Sequence, residues 1–448
     1  MAETPRLCIR PSGGLRGTVE LSGDKSISHR ALLIAALAEG ESRVDNCLVA
    51  GVTEAMIDCL QDLGIQIELK ASPSLSGGSG RVIVQGRGFR GLCQPDRPLN
   101  CRGSATTMRL LAGVLAAQPF PSTLDGNDRL RERPMGRVIK PLIAKGAVIR
   151  SSQDKPPLTF QPGSLRPSSH RLTVASAQVK SALLLAGLLS RCPTAVSEPH
   201  MSRDHTERLL RWLGAEIEQR VETDGQHVVF LHDRVPELPG FDLRLPADPS
   251  SAAFLLVAGT LVPDSRIELP GVCINPGRVG LVDVLTRMGA PVRVEPLKES
   301  TGWEPVADLQ AQTGELKGIT IQGAQVTSMI DEFPIFAVAA TQASGLTVVK
   351  DAAELRVKES DRIEALCEEL GKLGARIEPQ EDGFVVQGPT RLKGNLVNGR
   401  GDHRLAMSLA TAGLVAEGET VVEGWEVIED SFPGFPATLQ RLGADVSW

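Results

Sequence analysis

A chain of 448 residues, 42% of them hydrophobic, carries ample material for a buried core, and more than one domain is expected. A net charge of −6, 3% aromatic residues and no tyrosine exclude a basic nucleic-acid-binding face and a stacking platform for single strands. No run approaches the ~20 apolar residues of a membrane span, no secretory leader is visible in MAETPRLCIRPSGG, and eight cysteines without a CxxC pair read as reduced thiols of a cytoplasmic protein.

In chain order, the first strong element is LSGDKSISHR (21–30), a cationic opening to the apolar helix SISHRALLIAALAEG. A helix-like stretch follows, ending at Gly64 before the β-branched run IQIEL, and RVIVQG adds a second strand. GRGFRG (86–91) fits GxGxxG, but LCQPDRP follows it instead of a helix, so it reads as a turn. GDKS (23–26) lacks the glycine spacing of a phosphate loop. The same alternation then repeats. Apolar helices are expected at SATTMRLLAGVLA, SAQVKSALLLAGLLS, DPSSAAFLLVAGTL, DEFPIFAVAATQASG and DHRLAMSLATAGLVAEG, each opened by a Ser or Asp able to cap it. Glycines at 146, 214, 289, 374 and 443 each precede a strand, and successive members of the whole set lie 68 to 85 residues apart. Each glycine is expected to be a left-handed helix C′ residue, and Glu381-Asp382-Gly383 a hairpin turn. Helices apolar nearly all round belong in an interior. Six α/β units in two domains is the economical arrangement, with crossings near 18–22 and in the proline-rich stretch 235–249.

The helix openings carry the unusual polar residues: Lys25, Ser26 and Arg30 at the first, Arg109 a turn into the second, and Gln178 and Lys180 in the third. Asp331 opens the fifth helix, Asp402, His403 and Arg404 the sixth, and RVKESDR (356–362) adds a mixed cluster. Taken singly, each is an ordinary helix-end charge, cap or i, i+4 surface pair, and His29 and His403 are as readily structural. Their recurrence at equivalent points favours small anionic ligands at helix N-termini. Seven histidines without HExxH or paired spacing give no basis for a metal.

As a set, LSGDKSISHR, NCRGSATTMRLLAG, RERPMGRV, SAQVKSALLLAG, SRDHTER, MIDEFP, RVKESDR and GDHRLAM resemble, in order and over nearly the whole chain, the motifs of the 5-enolpyruvylshikimate-3-phosphate synthase family. The resemblance implies an α/β fold of two domains, each of three βαβαββ repeats with buried helices and outward-facing sheets. Residues 1–21 with 246–448 would form one domain and 22–245 the other, with the active site in the cleft. It further implies transfer of the enolpyruvyl group of phosphoenolpyruvate to the 5-hydroxyl of shikimate 3-phosphate, without cofactor or metal, by a monomer. Lys25, Ser26, Arg30, Ser176, Ala177, Gln178, Arg203 and Lys358 would hold shikimate 3-phosphate. Arg133, Arg362 and Arg404 would clamp phosphoenolpyruvate, which Lys25 would also touch, with Ala105 close by. Asp331 would serve the hydroxyl, and Lys25 and Glu359 the C3 proton and leaving phosphate.

Two departures from the family pattern carry expectations. Ala105 stands where the family usually has glycine, and its methyl is expected to crowd the longer inhibitor glyphosate more than the substrate, with neutral drift as the alternative. Asp430 replaces a lysine found in many relatives, and Arg102 has no assigned role. The rivals are the enolpyruvyl transferase acting on UDP-N-acetylglucosamine, whose reactive cysteine loop is not found here, and a non-catalytic anion-binding repeat scaffold.

Overall fold

The computed structural model describes residues 5–71, 78–234, 236–297 and 302–448; Val235, the first residue of the expected second crossing, lies outside them. Its strands form six four-stranded sheets of one design. In the second, Leu99–Asn100 runs parallel to Ser122–Asp125, which pairs antiparallel with Lys155–Gln161, itself antiparallel to Val148–Ser152. Inward and outward residues alternate along Lys155–Gln161, as on a sheet with one wet face.

Three sheets are each built from one continuous stretch of chain. The others borrow strands. Asp242–Arg244 lies parallel to residues 43–45 of the first unit, whereas Arg16–Thr18 lies parallel to residues 266–268 of the fourth. Arg6–Ile9 fits between Thr420–Glu423 and Val446–Ser447 in the last. The two stretches expected to be crossings run side by side: Asp24 N–H donates to the Pro246 carbonyl at 2.9 Å, and Asp248 N–H to the Ser22 carbonyl at 3.0 Å.

Under the sheets lie the six expected apolar helices, Lys25–Leu37, Ala105–Leu115, Ala177–Ser190, Pro249–Leu261, Phe333–Gln342 and His403–Gly413. Every residue from Ile27 to Leu37 is buried, because a helix without a polar face is stable only when enclosed. Two apolar cores result. One gathers Leu7 to Leu21 with side chains from Ala247 to Val446; the other gathers Ile27 to Leu245, joined by Cys273 and Trp303. All six repeat glycines, Gly64, Gly146, Gly214, Gly289, Gly374 and Gly443, have positive φ, from +86° to +110°. Gly146 is also crowded, since a Cβ there would lie 2.3 Å from the Ser164 carbonyl oxygen. The hairpin turn expected at Glu381-Asp382-Gly383 is made by Glu381 and Asp382 alone, and Gly383 already pairs with Gln380 as the first residue of the next strand; the GxGxxG stretch leaves its strand at Arg87 for a turn.

Candidate active site

Side chains cap four of the core helices: Asp24, Ser104, Asp248 and Asp402 accept from first-turn N–H groups. Ser176 and Glu332 make no such bond at the third and fifth, so those first-turn N–H groups remain free of a side-chain acceptor. Asp331 stands just before Glu332 rather than in the helix itself, which places its carboxylate among cations from several elements. It pairs with Arg203, and its Oδ1 lies 3.5 Å from both Lys358 Nζ and Arg362 Nη1; Arg404 Nη2 is 3.9 Å from Oδ2. These charges, Arg203 foremost, outweigh the cost of burial and hold the Asp331 carboxyl well below the usual carboxylate range.

Glu359 is held low in the same way, by Arg362 at 2.8 Å and Arg133 at 3.1 Å. Arg362 is fully buried and fixed by Asp402, 2.7 Å from its Nε. Arg404 donates to the Asp331 carbonyl at 3.1 Å and to Ser250 Oγ at 3.2 Å. Lys25, the first residue of its helix, points Nζ to His403 Nε2 at 3.5 Å. Burial and the charge of Lys25 push His403 down to about 3, so the imidazole is neutral and Nε2 accepts from the ammonium. Burial, then Arg404, lowers Lys25 to about 8 against the opposing pull of Asp248, Glu359 and Asp331. Lys358 is also lowered, chiefly by burial. In this cluster Lys25, Arg133, Arg203, Lys358, Arg362 and Arg404 outnumber Asp331, Glu359 and Asp402, an excess of positive charge suited to polyanionic ligands.

Ser26 joins the cluster through Arg203, whose Nη1 is 3.5 Å from Ser26 Oγ. Ser176, Ala177 and Gln178 form the uncapped third opening, where Gln178 accepts from Arg109 at 2.5 Å and donates to Thr106 Oγ1 at 2.8 Å. Burial, with Arg133 and Arg137 nearby, brings Arg109 down to about 9. Ala105 is the buried first residue of the second helix, behind its Ser104 cap. Two of the cationic openings face inward instead. Arg30 is buried one turn into its helix and donates to Thr206, Ser181 and the Ser26 carbonyl at 2.8, 3.0 and 2.8 Å. Lys180 is buried between Glu198 and Glu207, at 2.7 and 2.9 Å, and ties elements within one core.

Arg102 bridges to Glu54 and Asp58, 2.6 Å from each, and so fastens the loop before Ala105 to the helix Gly51–Asp62. Asp430 faces Lys25, Arg102 and Arg129, and burial raises its carboxyl. Several polar links between the two cores carried no sequence signal: Arg137 with Glu354 at 3.0 Å, His205 with Glu304 at 2.6 Å, and Asn275 with Asp204 at 2.7 Å. Only a count of charges within the quoted motifs 131–138 and 202–208 could have flagged Arg137 and His205. Among the described residues, Glu216, Glu218 and His232 bring metal-type donors within 4.8 Å of one another, on an outer sheet and sharing no member with this cluster.

The sequence model of EPSP synthase (3-phosphoshikimate 1-carboxyvinyltransferase) matches residues 9–439. A protein of that name from Pelotomaculum thermopropionicum is 48% identical over 98% of this chain and 99% of its own length, and one from Bacillus thuringiensis strain Al Hakam is 44% identical over 97% and 98%. The EPSP synthase structure from Acinetobacter baumannii superposes with a TM-score of 0.84 at 37% identity, covering 99% of this chain and 100% of that one. Motifs, repeat architecture and full-length similarity agree, and the chain belongs to the EPSP synthase (3-phosphoshikimate 1-carboxyvinyltransferase) family.

Proposed function

We propose that this chain transfers the enolpyruvyl group of phosphoenolpyruvate to the 5-hydroxyl of shikimate 3-phosphate and releases phosphate. The observation that carries the residue roles is Asp331, a carboxylate ringed by Arg203, Lys358, Arg362 and Arg404 and close enough to Lys25 to raise its pKa. In the reaction the hydroxyl adds to C2 while C3 gains a proton; phosphate then leaves as C3 loses one. Asp331 is too weakly basic while four cations face it. Anionic substrates draw those cations onto phosphate and carboxylate oxygens, which raises the basicity of Asp331 where the hydroxyl proton must go.

Lys25, whose ammonium is only weakly favoured, and Glu359 serve the C3 proton and the departing phosphate. Ser26, Arg30, Ser176, Ala177, Gln178, Arg203 and Lys358 form the shikimate 3-phosphate side. The free N–H groups after Ser176 support that assignment, and Arg30 acts there through the Ser26 carbonyl it holds. Arg133, Arg362, Arg404 and the backbone at Ala105 form the phosphoenolpyruvate side, where planar guanidinium groups suit bidentate anion contacts. Residues 1–21 with 246–448, and 22–245, are the domains that close on the substrates. The enzyme works as a cytoplasmic monomer; the eight free cysteines support the reducing compartment.

The test is phosphate release from phosphoenolpyruvate. It is expected only when shikimate 3-phosphate is present. Release driven by UDP-N-acetylglucosamine, or none with either acceptor, overturns the assignment.

A further inference from the structure

We infer that Arg278 is a positioning residue for the reaction: it pins together the two crossings and thereby sets the place of Lys25. The inference rests on the reading of Lys25 given above. Arg278 belongs to the turn between the strand Arg266–Cys273 and the helix Gly280–Met288, in the run NPGR, which none of the repeats or motifs marks. Its side chain is 2% exposed and is taken up by side chains of this protein. Nη2 lies 3.1 Å from Asp24 Oδ2, 2.9 Å from Asp248 Oδ1 and 2.8 Å from Ser250 Oγ.

Each of these partners acts at a helix start. Asp24 caps the first core helix by accepting from Ile27 N–H at 2.8 Å. Asp248 caps the fourth and, with its other oxygen, accepts from the backbone N–H of Lys25 at 3.0 Å. Ser250 donates to Glu332 and accepts from Arg404. One guanidinium therefore locks the starts of the first and fourth helices to each other and, through Ser250, to the fifth and sixth. The turn that carries it is fastened to the other core by Asn275, which donates to Asp204 at 2.7 Å and Glu304 at 2.9 Å.

The charge matters as well as the three contacts of Nη2. Asp24 is held at about 2 against burial, first by Arg278 and then by His205 and Arg203. Arg30 also faces Asp24, Cys273 is packed nearby, and Glu332 and Asp331 face Arg278 from the fifth helix opening. Without the guanidinium, two buried carboxylates confront each other, and one takes up a proton below neutral pH. The cap of the first helix then weakens, and Lys25 moves.

Arg278→Met, Arg278→Lys and Lys25→Met test this, with kcat, both KM values and pH profiles normalised to active sites counted by titration with shikimate 3-phosphate. Arg278→Met should lower kcat about tenfold or more and raise the acid limb by about one pH unit or more. Arg278→Lys should restore the acid limb but leave kcat reduced, since an ammonium keeps the charge but, on a shorter stem, does not reach all three partners of Nη2. Should Arg278→Met not fold, Asp248→Asn gives the readout: losing its charge next to Lys25 should move the alkaline limb of kcat/KM downward, and an unmoved limb counts against the role. Turnover that dies with Lys25→Met yet keeps its rate and acid limb in Arg278→Met refutes the role of Arg278 alone. Turnover that survives Lys25→Met refutes the reading of Lys25 and this role with it.

Discussion

Replacing Asp331 by asparagine keeps the shape of the side chain and removes one negative charge from among Arg203, Lys358, Arg362 and Arg404. Loss of a general base is worth about 10²–10⁴ in rate, so kcat should fall at least about 100-fold. Binding of an anion without a hydroxyl should move the other way. A unit charge ~6 Å from a bound phosphate, at an effective dielectric constant of about 20, contributes about 3 kcal/mol of repulsion. Mobile ions and the partial exposure of the Asp331 side chain reduce this to about 1 kcal/mol, or about fivefold tighter binding of inorganic phosphate to the variant. Shikimate 3-phosphate gains the same relief but loses a hydrogen bond from its 5-hydroxyl to a charged acceptor, worth about 1.5–3 kcal/mol, so its affinity should fall or hold. Calorimetric titration of both ligands into parent and variant, with single-turnover phosphate release, measures all three. A variant that keeps kcat within tenfold of the parent, or binds inorganic phosphate more weakly, refutes the ring of cations as the source of this behaviour.

Lys25, lowered to about 8 by burial and Arg404, loses its proton as pH rises through that value, so kcat/KM should fall on the alkaline side near 8. Bound anions favour the ammonium and should move the kcat limb higher; an alkaline limb that persists in Lys25→Met would assign it to another group. Ala105→Gly removes the methyl at the first position of the second core helix and should strengthen inhibition by glyphosate; unchanged inhibition would mark the alanine as neutral. Gly146→Ala must shift backbone at Ser164 as well as hold a left-handed conformation, and should cost about 2 kcal/mol or more in urea denaturation. Gly374→Ala, with nothing within 4 Å of the new Cβ, should cost only about 1 kcal/mol, and equal losses would dismiss the crowding argument.

The repeat architecture was legible because its signals are local. A glycine that ends a helix and an apolar stretch with no polar face each state their own conformation, and all six of each behave as expected. Partners of charged groups were not legible. Arg30 and Lys180 read as cationic helix openings like Lys25, yet one is spent on Thr206, Ser181 and Ser26 and the other on Glu198 and Glu207. Spacing along a helix gives the face a residue occupies, but which carboxylate or hydroxyl meets it depends on chain outside that helix, the next strand and helix for Lys180 and chain 176 residues away for Arg30 and Thr206. Arg278 was missed for the same reason. Nothing near it in sequence announces that Asp24 and Asp248 converge on its guanidinium. The neutral state of His403 likewise follows from burial and then from Lys25, which arrives from a distant part of the chain.

The exchanged strands bear on how the chain comes to be folded during synthesis. Residues 6–9 and 16–18 are made well before their partners, which stand at 266–268 for the second strand and at 420–423 and 446–447 for the first. The first sheet likewise waits for residues 242–244 before its outer strand is covered. The second, third and fifth units close their sheets from their own residues as they emerge, and the second and third, made earliest of these, are the natural nucleus of the growing polypeptide. Until residues 420–447 are made, the strand Arg6–Ile9 presents two unpaired backbone edges that other strands could capture. Pairing strands from such distant stretches in one sheet therefore has a biosynthetic consequence: residues 6–9 are the ones that most need shielding while their partners are made.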